Sequence, residues 1–170
     1  MGGLLLVAGA PSEGGGAVAL FNAVAQKWNR LAERLPMGRA DPFIEYNPVH
    51  KVVILGGGEG RRELYKVDAA GQVTRLKDAP IGLGTTHALV TVDPVGGKYL
   101  VIARDRSFYE YDVASDAWAA LSKAVPLGFR IGQNVIEAPV TTYGVVLFVT
   151  AAGPDSKVYL YKHTESGVRR

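Results

Sequence analysis

Hydrophobic residues in this chain come in short bursts, separated by turns rich in Gly, Pro, Asn and Asp. Phe43 to Tyr46 form one burst, Lys51 to Leu55 a continuous apolar run, Glu63 to Val67 an alternating segment and Gln72 to Leu76 another. Continuous runs of this length fit strands buried on both faces, and alternation fits strands with one face to solvent. Between them lie Asn-Pro, Gly-rich and Ala-Gly separators, which are the residues that hairpin connections demand. The pattern therefore predicts four antiparallel strands here. The same order follows at His87 to Val92, Tyr99 to Ala103, Phe108 to Tyr111 and Ala117 to Leu121. Ahead of these segments the pattern gives strands at Leu4 to Val7, Val18 to Phe21 and Lys27 to Leu31. After them it gives Val135 to Glu137, Val145 to Val149 and Val158 to Tyr161.

The recurrence is regular. Pro36-Met37-Gly38, Pro80-Ile81-Gly82 and Pro126-Leu127-Gly128 stand 44 and 46 residues apart, and Trp28, Val73 and Trp118 stand 45 and 45 apart. A period near 45 with four strands per period is the sequence pattern of β-propeller blades. The expected fold is all-β, a propeller of four-stranded antiparallel blades, incomplete in one chain. Approximate blades run 1–35, 36–79, 80–125 and 126–170, with three, four, four and three strands. An open array leaves an apolar blade face at each end. Three arrangements answer that problem: a longer protein, a second copy, or ends covered in some other way.

The repeat resembles the kelch family of β-propellers. Glycines end the second strand in Leu55-Gly56-Gly57-Gly58, and Tyr65-Lys66-Val67-Asp68 and Tyr111-Asp112 carry the family's Tyr and Asp phrase. Trp118 follows at the family's distance, and Leu35-Pro36-Met37-Gly38-Arg39 is similar to its proline and arginine link. The third repeat has Ala103-Arg104 in place of the glycine pair, and Val73 stands where Trp is expected. The resemblance implies a protein-interaction platform first. Some kelch-like propellers are enzymes, including copper oxidases that depend on a tyrosine cross-linked to cysteine. This chain has no cysteine, so that chemistry is closed to it.

Composition narrows the function further. The 170 residues include 21 Gly and 9 Pro, in keeping with many tight turns, and are enough to bury a core. Nineteen basic and 16 acidic residues are spread along the chain, which implies neither a nucleic-acid nor a membrane partner. No Lys or Arg precedes Lys27, so Leu4 to Val7 reads as a strand rather than the core of a signal peptide. The compartment is left unassigned, because a secreted protein need not carry disulfides.

In a propeller, the connections from outer strand to next inner strand gather on one face with those between second and third strands. The first set carries Arg39, Asp41, His87, Arg130, Gln133 and Asn134. The second carries Glu13, Glu59, Arg61, Arg62, Arg104, Asp105, Arg106 and Asp155. Loops on a rigid scaffold are where binding residues concentrate, and arginine-rich chemistry suits a protein, anionic or carbohydrate ligand. The simpler reading has Arg39 and Arg130 pairing with carbonyls and carboxylates of neighbouring blades. Glu45 and Glu137 fall at corresponding places on inner strands, where a carboxylate pair serves either as salt-bridging wall or as acid and base.

Other motifs carry less. His50, His87 and His163 have no metal-ligand spacing, so no metal or cofactor is expected. Gly56-Gly57-Gly58-Glu59-Gly60 precedes a strand rather than a helix, which makes it a wide hairpin turn and not a phosphate cradle. Aromatics at Phe21, Trp28, Tyr65, Tyr109, Tyr111, Trp118, Tyr159 and Tyr161 sit within strands and are expected to fill the space between blades. The expectation is a non-catalytic binding or assembly module. The alternatives are part of a carbohydrate-active or other hydrolytic propeller enzyme, or a structural protein that pairs with itself.

Overall fold

A computed structural model describes residues 3–8, 16–38, 40–121, 135–151 and 153–164. Nearly all regular structure among them is β, in four antiparallel sheets that each run through their strands in chain order. The first contains β1 (Gly3–Ala8), β2 (Gly16–Asn22) and β3 (Lys27–Leu35). The second contains β4 (Phe43–Asn47), β5 (Val52–Gly56), β6 (Leu64–Val67) and β7 (Val73–Arg75). The third contains β8 (Ala88–Val92), β9 (Tyr99–Ala103), β10 (Phe108–Asp112) and β11 (Ala117–Leu121). The fourth contains β12 (Val135–Val140), β13 (Val145–Thr150) and β14 (Val158–Tyr161), with a single 3-10 turn at Gly153–Asp155. Each strand expected from the hydrophobic pattern is present, and the differences lie at the ends. Strand β3 runs on to Leu35 and β12 to Val140, while β5 begins at Val52, after Lys51 closes the turn with φ of 55°.

One device builds many of the hairpins. The last residue of β2 is Asn22, whose carboxamide oxygen accepts the amides of Val24 and Ala25. Asp68 follows β6 and accepts Ala70 and Gln72, and Asp112 ends β10 and accepts Ala114 and Ser115. A short Asn or Asp side chain folds back on its own turn in this way. The Asp of the Tyr-Asp phrase is therefore a turn-former. Asn47 and Asp93 do the same at the ends of β4 and β8.

The chain divides into two compact units, one of Met1–Tyr46 and Lys51–Thr85, the other of Asn47–His50 and Thr86–Arg170. In the first, Val18, Leu31 and Leu35 of the first sheet pack with Leu55, Tyr65 and Val67 of the second, and Met37 joins them. In the other, Leu89, Leu100, Ile102 and Phe108 of the third sheet pack with Val146 and Phe148 of the fourth, flanked by Leu121, Val135, Tyr159 and Tyr161. Both cores are thus joints between consecutive sheets, filled from one face of each.

Turns in the second unit also stack. Asn47, fully buried, donates from Nδ2 to the carbonyl of Gly97 at 2.7 Å. A Cβ at Gly97 would meet His50 at 2.8 Å, and one at Gly144 would meet Val95 Cγ2 at 2.8 Å. The turns that join first to second strand in three successive repeats therefore lie one against the next.

The aromatic expectation needs one correction. Trp28 is 51% exposed, resting on Phe21 with ring centroids 5.1 Å apart. The equivalent pair in the third repeat, Tyr111 and Trp118, has a fully buried Tyr111.

Candidate functional site

In the first unit, the loop between β5 and β6 is clamped between two connections. Gly38 donates to the Gly57 carbonyl at 2.8 Å, Gly58 to Leu83 at 3.0 Å, and Leu83 to Arg61 at 2.8 Å. The backbones approach so closely that a Cβ at Gly38 would lie 2.2 Å from Gly58, and one at Gly82 would lie 2.7 Å from Gly60. Only glycine permits such an approach, so the recurring Pro-x-Gly phrase and the glycine cluster are two sides of one contact. Asp41 completes the clamp: its carboxylate accepts the Glu59 amide at 2.8 Å, and its carbonyl accepts Thr85 at 3.0 Å. Asp41, Glu59 and Arg61, assigned separately from the sequence, therefore share one loop cluster. Arg61 is exposed on it. Arg62 is also exposed, and its guanidinium donates to the Ala79 carbonyl, so this side chain braces the scaffold.

In the second unit, His87 and Arg104 are neighbours through the backbone, the Arg104 amide donating to the His87 carbonyl at 3.1 Å. The His87 ring meets Thr86 Oγ1 at 3.0 Å. Arg104, Asp105 and Arg106 project from the tight turn between β9 and β10, all exposed. Asp105 accepts both the amide and the hydroxyl of Ser107, which lowers its carboxyl below the ordinary value. Asp155 is exposed in the 3-10 turn. Arg39, Arg130, Gln133, Asn134 and Glu13 lie outside the described residues.

A half-buried polar chain crosses the joint of the second unit. Lys98 reaches Asp112 at 2.9 Å and Glu110 at 3.6 Å. Glu110 receives His163 Nε2 at 3.0 Å, and His163 Nδ1 meets the Tyr161 hydroxyl at 3.2 Å. A ring with its hydrogen on Nε2 alone donates to Glu110 and accepts the Tyr161 hydroxyl at Nδ1. The bond to Lys98 holds the Asp112 carboxyl down at about 2, while burial raises Tyr161. Sequence reasoning missed this set. The signal was present: Glu110 falls on the same strand face as buried Phe108, and a charge in that stripe requires partners.

Glu137 lies in the same joint. Its register partner on β13 is Phe148, a core residue, so its carboxyl points inward, and burial raises it to about 7. Thr91 of β8, opposite core Leu100, is fully buried, and its hydroxyl has no hydrogen-bond partner among the described residues. Glu45 is half-buried on β4. Among the described residues no group of three or more His, Asp or Glu is placed to hold a metal ion, and no helix is long and apolar enough to cross a membrane.

Comparison with known proteins places this architecture. No family model and no curated protein matches the chain. Among solved structures it is similar to a fungal alcohol oxidase of the AA5 family in complex with copper, at 14% identity and a TM-score of 0.60 over 97% of this chain and 40% of the oxidase. It is also similar to a structural-genomics protein of unknown function from Bacteroides thetaiotaomicron VPI-5482, at 15% identity and a TM-score of 0.60 over 94% of this chain and 41% of that one. The chain thus spans about two fifths of the length of each. At these identities the likeness is one of fold, an antiparallel multi-sheet β architecture.

Proposed function

We propose that the chain is a kelch-like partial β-propeller that acts as a non-catalytic binding or assembly module, presenting arginine-bearing loops to a protein, anionic or carbohydrate ligand. In this arrangement the four sheets are blades, and β4, β8 and β12 are their inner strands. Face-to-face joints within each unit and the stacked first-to-second turns support it. The observation that carries the binding reading is the glycine clamp, which fixes the loop bearing exposed Arg61 against two other connections. A loop held this way loses little conformational entropy on binding, the property that makes a scaffold loop a recognition element.

The test is binding of a sulfated oligosaccharide, a neutral oligosaccharide and an acidic peptide, followed by calorimetry on the wild type and four variants. Arg61→Ala, Arg104→Ala, Arg39→Ala and Arg130→Ala are expected to weaken the anionic probes about tenfold, the effect of losing one charge-assisted contact. Affinities unchanged in all four would sink the loop-face reading.

A second reading, a hydrolytic propeller, is favoured by one feature: the Glu137 carboxyl, on the proposed inner strand, is raised by burial to about 7. The copper held by the fungal alcohol oxidase belongs to that protein and is not carried over to this chain.

A further inference from the structure

The two covered joints are built alike, and that likeness identifies what the uncovered faces receive. In the first unit, Val67 and Val73 of the second sheet face the core formed with the first sheet, and they are register partners. The repeat aligns Val73 with Trp28 and with Trp118, and register pairs Trp28 with Phe21 and Trp118 with Tyr111. Phe21 and Trp28 are therefore the first sheet's version of the receiving surface that Val67 and Val73 form in the second. On the first sheet this surface is uncovered, with Trp28 51% exposed.

The fourth sheet shows the converse. Its receiving face, with Val146, Phe148, Tyr159 and Tyr161, packs on the third sheet. The opposite face holds Ile136, Val149 and Val158 in one register row and Ala138, Leu147 and Leu160 in the next. It is apolar on all three strands, yet Ile136, Val158 and Leu160 are 67%, 66% and 70% exposed. Clusters of this kind mark interaction surfaces. The corresponding face of the third sheet, with Leu89, Ile102 and Phe108, is covered by a receiving face.

The exposed face of the fourth sheet and that of the first are thus the two halves of a joint of the same kind. We infer that the apolar face of the fourth sheet, at Ile136, Val158 and Leu160, docks on the Phe21 and Trp28 face of the first sheet in a second copy of this chain. The contact is head-to-tail, between different surfaces, and two such joints close a pair. The inference rests on the proposed packing of sheets face to face and is independent of what the loops bind, so mass and ligand affinity fail separately.

The experiment is light scattering across a dilution series, on the wild type and on Leu160→Lys and Trp28→Lys, both at exposed positions, with far-ultraviolet circular dichroism as the check on folding. Twice the chain mass is expected for the wild type, falling on dilution, and the chain mass for each variant. A mixture of the two variants is expected to regain association, because one joint between unaltered faces remains. A wild type that is monomeric at every concentration would overturn the inference and leave the face to further repeats of a longer polypeptide. Association that survives in both folded variants, or a mixture that stays monomeric beside a dimeric wild type, would overturn it too. The wild-type series stands even if a variant fails to fold.

Discussion

Gly38 and Gly58 are in backbone contact: a Cβ on Gly38 would lie 2.2 Å from the carbonyl carbon and oxygen of Gly58. Two phrases of sequence some twenty residues apart are thereby fixed to one another. Gly38→Ala is expected to destabilise the protein by about 3 kcal/mol, since neither side of a backbone contact can turn away. Gly153→Ala is the control, with φ of 62° and nothing within 4 Å of its Cβ, and should cost about 1 kcal/mol. Urea unfolding of the two variants separates close approach from backbone strain. Equal losses would contradict the clamp.

Acid should weaken the third sheet. The Asp112 carboxyl lies at about 2 against an ordinary 3.8, because Lys98 donates to its ionised form. A depressed carboxyl contributes stability that is present above its unfolded value and lost as pH falls through the folded one, here between about pH 4 and about pH 2. The loss expected is about 2 kcal/mol, and Asp112→Asn should remove that part of the acid dependence. Denaturant unfolding from about pH 5 downward reads the difference between the two proteins.

Glu137 should act in the opposite direction. Its carboxyl is raised from 4.5 to about 7 by burial, so the stabilising form is the protonated one. That contribution is whole below about pH 4.5, is lost as pH rises through about 7, and is level above. Partial exposure reduces the change to about 2 kcal/mol. Glu137→Gln should unfold at a midpoint nearly constant across this window. A wild type equally flat would remove the buried acid from the account and, with it, the support for a hydrolytic reading.

Much of this was legible in the sequence, for stated reasons. Strand positions followed from bursts of Val, Ile, Leu and Tyr closed by Asn, Asp and Gly, because both signals are local. The Pro-x-Gly phrase marked the period, while its meaning, glycine against glycine across two connections, is a tertiary contact that spacing alone does not reveal. The network of Lys98, Glu110, Asp112 and His163 was missed for a related reason, since His163 and Glu110 are 53 residues apart. Of the candidate loop residues, Asp41 lies between β3 and β4, and its carboxylate caps the Glu59 amide. Arg62 proves to be a brace. Trp28 was expected in a packed interior because its repeat position is a packing position, yet in the first repeat that face is uncovered among the described residues.

The radial arrangement of blades is the claim on which the rest depends, and the absence of cysteine makes it measurable with engineered cysteine pairs. Spin labels on Ile44 and Ile136 mark proposed inner strands two repeats apart, and labels on Asn29 and Ala120 mark proposed outer strands two repeats apart; all four positions are exposed. If the sheets are blades of the proposed propeller, distances by double electron-electron resonance are expected to be clearly shorter for the inner pair than for the outer pair, because such blades fan out from an axis. Equal distances, or a shorter outer pair, would mean that the sheets are stacked rather than fanned and would contradict the propeller.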